Sequence, residues 1–167
     1  MPIVEVSEIV IASVEESYGL ICDPEKYSQL MTGIHSVQVL EHNPRGAKTS
    51  WIMDVEGLKF KWEQLDEYCL EDKTLHFSQI KGDMLKFEGK WSFSKTPEGT
   101  KVSLYLDVDP GIPMLGLFHY ILMKRVQEVV QGMVKGFKEL VETSPIISRR
   151  FPPRIANDIN YISTKEI

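Results

Sequence analysis

Gln64, Asp66 and Tyr68 stand two apart in the segment LKFKWEQLDEY, following Phe60 and Trp62 at the same interval. A period of two puts all five side chains on one face of an extended strand. Three polar groups are thereby set at the end of an aromatic row. A carboxylate on such a face is costly to bury unless it is paired. Asp66 is therefore expected to be hydrogen-bonded, to lie near the end of the sheet, or to face a wet cavity. The chemistry open to it is general acid–base work on a bound organic molecule, with Asp66, Tyr68 and Gln64 as the candidate catalytic groups. His119 and Tyr120 are further candidates for proton transfer.

Other chemistries find no support in the residue spacing. His35, His42, His76 and His119 form no HxH or HExxH pair, so no metal centre is expected. Cys22 and Cys69 form no CxxC, and no GxSxG occurs, which leaves no recognisable nucleophile. Without a glycine-rich phosphate loop or dinucleotide fingerprint, no cofactor is expected. The chain has 167 residues, 43% of them hydrophobic and 26% charged, with a net charge of −5. This is an ordinary globular composition and large enough for one self-sufficient core. The acidic balance argues against nucleic acid, since the basic cluster Arg149, Arg150 and Arg154 sits in the tail. MPIVEVSE lacks the basic and apolar regions of a signal peptide, and the apolar run 111–123 is shorter than the roughly 20 residues a membrane span needs. A cytoplasmic protein with no transmembrane segment is expected.

The elements that must position the candidate groups are mostly strands. Residues 3–12 are rich in β-branched side chains and read as a strand. Ser13 with Glu16 forms a capping box for a short helix to about Cys22, and Asp23-Pro24 starts a second one through Met31. From Ile34 onward the pattern is period two. Trp51, Met53 and Val55 share a face; so do Leu58, Phe60 and Trp62; Leu75, Phe77 and Gln79; Leu85, Phe87, Gly89, Trp91 and Phe93; and Val102, Leu104, Leu106 and Val108. Six consecutive antiparallel strands with one apolar face need a lid. The helix-like stretch after Gly111 supplies it. Leu122, Val126, Val129, Val130, Met133, Phe137, Leu140 and Val141 fall on one side at steps of three and four. Counted from Pro113, this helix would run about 30 residues, or roughly 45 Å. A straight helix and a bent sheet do not touch everywhere, so a cavity is expected between them. Its expected lining is Trp51, Met53, Phe60, Trp62, Phe77, Gln79, Phe87, Trp91, Val129 and Met133. Met114 and Phe118 would stand at a gate. The fold class is α+β in a single domain over residues 1–142, with an irregular or partly disordered extension over 143–167.

The order strand, two short helices, six-stranded meander and long C-terminal helix resembles the helix-grip fold, in which a curved seven-stranded antiparallel sheet wraps around the helix. The superfamily includes START domains, birch-pollen-allergen-like proteins, polyketide aromatase/cyclases and coenzyme-Q-binding proteins. DPEKYSQLMTGIHSVQVLE, WIMDVEGLKFKWEQLDEY, FEGKWSF and DPGIPM resemble the polyketide cyclase/dehydrase branch in particular. The resemblance implies a hydrophobic ligand: a polyketide, lipid or quinone. It also implies, for the enzymes of that branch, a possible acyl carrier protein partner. In the aromatase/cyclases an inward arginine on the strand matching KWEQLDEY positions the polyketide. Here the residues after Trp62 read Glu63, Gln64, Leu65 and Asp66, so the charge at the inward position is reversed. Two readings stay open: cyclisation, aromatisation or dehydration of a polyketide-like chain, and non-catalytic binding or transport of a lipid, quinone or isoprenoid.

Overall fold

The structure, a computed structural model, describes residues 3–27, 34–111 and 116–143. Met114, the expected helix start at Pro113, the end of the second short helix at Met31 and the tail from 144 onward lie outside the described residues. Seven strands form one antiparallel sheet: β1 (Ile3–Val10), β2 (Ile34–Asn43), β3 (Gly46–Val55), β4 (Leu58–Cys69), β5 (Thr74–Gly82), β6 (Lys86–Thr96) and β7 (Gly99–Asp109). Their spatial order is β1-β7-β6-β5-β4-β3-β2, so β2 to β7 are a meander and β1 adds to its far edge. Two short helices, α1 (Val14–Ile21) and α2 (Pro24–Tyr27), follow β1, and α3 (Leu117–Thr143) follows β7. No helix among the described residues is long and apolar enough to cross a membrane.

The local signals act as their chemistry requires. Ser13 caps α1, its hydroxyl accepting from the Glu16 N–H at 3.0 Å. The β3–β4 hairpin turns on Glu56 and Gly57, both at positive φ (52° and 84°), as a two-residue primed turn demands. The alternating residues of β3 and β7 are buried on one face. Two expected inward residues are not: Leu58 is 45% and Leu85 73% exposed. Leu58 directly follows the hairpin turn, and Leu85 lies in the loop before β6, where its N–H donates to the Asp109 carbonyl at 2.8 Å. Neither position is deep enough in the sheet to be covered.

On α3 the buried stripe is Leu122, Val126, Val129, Val130, Val134, Phe137 and Val141. Val134 joins the stripe, while Met133 and Leu140 are half-buried. The helix is tied down at its far end. Lys138 Nζ donates to the Ile9 carbonyl at 2.6 Å and pairs with Glu142 at 2.9 Å, and the Ile11 N–H donates to Glu142 Oε2 at 2.8 Å. The backbone of α3 runs closest to β1 and β7. Toward β3, β4 and β5 the sheet curves away from it, and this divergence creates the site.

Candidate functional site

β4 lays Trp62, Gln64 and Asp66 along its concave face, and the three are linked head to tail. The Trp62 indole N–H donates to Gln64 Oε1 at 2.9 Å, and Gln64 Nε2 donates to Asp66 Oδ1 at 2.8 Å. On β3 the Trp51 indole donates to the Thr49 hydroxyl at 2.8 Å. All five side chains are buried. Pairing within the strand is what makes their burial tolerable. The amide of Gln64 is oriented at both ends, so it presents a donor, not an acceptor, to the carboxylate.

Above this polar line stands an aromatic wall. Trp51 and Trp62 lie nearly parallel (8°) with centroids 5.9 Å apart; Phe87 is 4.8 Å from Trp62 and 5.7 Å from Phe77. These separations are those of ordinary favourable ring pairs. Gly89 gives Phe77 its place: a Cβ there would lie 2.6 Å from Phe77 Cζ and would also collide with the Tyr105 carbonyl. The facing wall is aliphatic and comes from α3: Val126, Val129, Val130 and Met133. Between the walls is a narrow cavity, with room for the centre of a water-sized sphere over about 50 Å³. Met53, Met84 and Met133 line it, and methionine is the side chain that most readily adjusts to a guest.

Of the residues expected at the site, Trp51, Met53, Trp62, Gln64, Asp66, Phe77, Phe87, Trp91, Val129 and Met133 surround this cavity. Phe60 and Phe118 do not. Phe60 is buried opposite Met53, toward the hairpin end of the sheet, and Phe118 is a half-buried residue of the first turn of α3. Gln79 does not line the cavity either. Ile80 is an extra residue between the Gln79–Gln64 and Lys81–Glu63 pairs, a bulge that re-aims the strand. Gln79 instead clasps the next loop, donating to the Met84 carbonyl at 2.8 Å and accepting from the Met84 N–H at 3.2 Å. That clasp holds Met84 against the cavity. Tyr68 lies beyond the cavity's end, edge-on to His42, with a buried hydroxyl that has no hydrogen-bond partner among the described residues. Burial pushes its phenol well above the ordinary range, reinforced by nearby acidic groups including Asp66. It is not placed to exchange a proton with a molecule in the cavity. Tyr120 is exposed, and His119 is not among the lining residues.

Ile34, Leu75, Met84, Leu104, Leu106, Val108, Val126 and Val130 complete the lining and were not singled out as ligand contacts from the sequence. Most were legible as core positions, but periodicity does not separate a residue that touches a void from one that fills it. Met84 carried no signal, because it sits in an aperiodic loop. Cys22, the C-cap of α1, is buried, and burial pushes its thiol up to about 12, which leaves it unreactive at neutral pH. Among the described residues no group of three or more His, Cys, Asp or Glu side chains is placed to hold a metal ion.

Comparison with known proteins places this geometry in context. The profile of the family described as polyketide cyclase / dehydrase and lipid transport matches residues 10–134. No curated protein matches the sequence. Among solved structures, the Thermus thermophilus protein TTHA0849 superposes with a TM-score of 0.79 at 28% identity, over 86% of this chain and 99% of its own. The Zhui aromatase/cyclase of Streptomyces sp. R1128 gives 0.72 at 14% identity, over 86% and 94%. A START superfamily protein of Mycobacterium smegmatis gives 0.68 at 22% identity, over 84% and 97%. The last two identities support the shared fold alone.

Proposed function

The chain belongs to the polyketide cyclase / dehydrase and lipid transport family, and from that premise we propose that it binds a polyketide-like molecule in the cavity and promotes its cyclisation, aromatisation or dehydration. The hydrophobic ligand-binding role itself follows from the family and the apolar cavity together. The observation that carries the catalytic step is the buried Asp66 carboxylate at the end of an aromatic wall, oriented by Gln64. A carboxylate is one of the side chains that can take a proton from a bound carbon acid within hydrogen-bond reach.

In this reading the substrate's unsaturated backbone lies on Trp62 and Phe87, with a methylene flanked by two carbonyls near Asp66. Asp66 takes a proton from that methylene, and the carbanion forms a carbon–carbon bond with a ketone carbon further along the chain. The resulting alkoxide recovers the proton. Removal of a second proton from the new ring, with departure of the hydroxyl, gives water and a conjugated ring. No oxidant or metal is needed. Gln64 keeps Asp66 fixed through both proton transfers, and delivery of the chain by an acyl carrier protein belongs to the same reading. The test is turnover of a synthetic poly-β-ketone. Asp66→Asn keeps shape and loses the base, so the rate should fall by about 10²–10⁴. Unchanged turnover in a folded Asp66→Asn protein would rule the role out.

A second reading has its own support. Both cavity indoles at the polar line are satisfied by protein groups, Trp51 by Thr49 and Trp62 by Gln64. That internal pairing suits a carrier of a lipid, quinone or isoprenoid as well as an enzyme. Native mass spectrometry of protein purified from its own host separates the two: a retained prenyl quinone or lipid favours the carrier.

A further inference from the structure

The walls of the cavity differ in how they are held. Of the residues around it, all but Met84 belong to β2–β7 or to α3. The strands are laddered to their neighbours, and α3 is packed along its buried stripe and tied to β1 near its end. Met84 lies in the connection between β5 and β6, after the ladder of those two strands has stopped at Ser78–Glu88. Gly82, Asp83 and Leu85 beside it are exposed, whereas Met84 is 5% exposed and lines the cavity. Asp83 and Leu85 are anchored by their own N–H groups, to the Lys61 carbonyl at 3.0 Å and the Asp109 carbonyl at 2.8 Å. The N–H and C=O of Met84 are both held by one side chain, the Gln79 amide. Met84 is thus a plug in a loop, and Gln79 is its latch.

The space behind the plug is small. Room for the centre of a water-sized sphere over about 50 Å³ corresponds to a few waters, and a dry cavity of about 150 Å³ takes a single benzene ring. A guest of several rings must therefore displace part of the wall. Opening a strand or α3 breaks a ladder or the helix packing, whereas loops with few buried contacts open at the low end of the stability range. We infer that Gln79 and Met84 set the size of guest the cavity accepts: a molecule of one ring binds with the loop shut, and a larger one binds with Met84 displaced and the Gln79 clasp broken. This rests on the apolar cavity being the ligand site, and it applies equally to an enzyme and to a carrier. Gln79, which does not line the cavity, is a positioning residue that acts on the guest through Met84. Its two bonds are kept with a small guest and lost with a large one, so the clasp weakens the binding of large guests alone. Two ordinary hydrogen bonds lost in this way weaken binding by roughly fivefold or more.

Two apolar probes of different size test this: toluene and N-phenyl-1-naphthylamine. All three tryptophans of the chain line the cavity, so the indole N–H signals in an NMR titration report toluene binding, and the dye is followed by its own fluorescence. Relative to toluene, the dye should bind Gln79→Ala at least about threefold more tightly than it binds the native protein, the lower end of the effect of two lost bonds. A smaller relative gain overturns the inference. The native protein gives a second measure that needs no variant. With the dye bound, the Met84 amide is released from Gln79 Oε1 and should exchange with deuterium faster than with toluene bound. Equal or slower exchange with the dye overturns the inference, and this measure decides if Gln79→Ala does not fold. If the dye binds and neither measure moves, this inference fails while the ligand site stands. If neither probe binds, both fail. Turnover of a poly-β-ketone is decided separately by Asp66→Asn, so the catalytic reading and this one fail independently.

Discussion

Replacing Gln64 with leucine tests whether the chain Trp62–Gln64–Asp66 is an energetic unit. Leucine fills a similar volume and removes both polar ends. The Trp62 indole, 4% exposed, then loses its acceptor, and Asp66, 1% exposed, loses a donor that sits 2.8 Å from Oδ1. An orphaned buried neutral donor costs about 1–3 kcal/mol and a lost bond to a charged group about 1.5–3. The expected destabilisation is thus roughly 3–5 kcal/mol, a large share of the 5–15 typical of a domain. In a chain of this size that lowers Tm by roughly 6–20 °C. Urea unfolding followed by tryptophan fluorescence measures it directly. The cycle with Asp66→Asn isolates the pair. Because the Gln64–Asp66 bond is charge-assisted, the coupling should be about 1.5–3 kcal/mol. A coupling within about 0.5 kcal/mol of zero, the level of independent sites, would refute the claim that Gln64 positions the carboxylate.

Three other outcomes follow from the same geometry. Gly89→Ala forces Phe77 off the sheet, since the new Cβ would sit 2.6 Å from Phe77 Cζ and against the Tyr105 carbonyl; a loss of about 1–3 kcal/mol in urea unfolding is expected, with altered indole NMR shifts from the displaced aromatic wall. Gln79→Ala removes both bonds that hold the Met84 loop, so the Met84 amide should exchange with deuterium faster, with a stability loss of about 1–3 kcal/mol. Stability should also fall at alkaline pH. The Cys22 thiol is raised by burial from 9.0 to about 12, so the unfolded state binds fewer protons above pH 9 and stability declines as pH rises toward 12. From this thiol alone the loss is about 2–3 kcal/mol by pH 11, and the raised phenols of Tyr18 and Tyr68 act in the same sense. Cys22→Ala should flatten the part of the decline that begins at pH 9.

The concave face of β3, β4 and β7 was readable because strict alternation leaves no choice of side: Trp51, Met53, Trp62, Gln64 and Asp66 all point where period two puts them. The same rule failed where the strand departs from regularity. The bulge at Ile80 turned Gln79 into a loop clasp, and Leu85 belongs to a connection, not to β6. Tyr68 shares the parity of Asp66, yet parity does not say how far along the strand the cavity extends. That limit depends on where α3 and the sheet part, a relation between residues some 60 positions apart in sequence such as Asp66 and Val126. Val134 was passed over on α3 although its spacing from Val130 fits the stripe. The family membership was legible in the order of elements and in short segments such as FEGKWSF, because the fold constrains both.

The most direct test of the central claim, that an apolar molecule occupies the space between β4 and α3, is binding of the neutral fluorophore N-phenyl-1-naphthylamine to the native protein and to Val130→Phe. Val130 is buried on the helix wall of the cavity, and a phenyl ring there fills the gap at an overpacking cost of about 1–3 kcal/mol. The expected result is saturable binding at one site in the native protein, with energy transfer from the tryptophans, and at least tenfold weaker binding in a folded Val130→Phe protein. Equal binding by the two proteins would mean that the ligand sits elsewhere, and the account would be wrong.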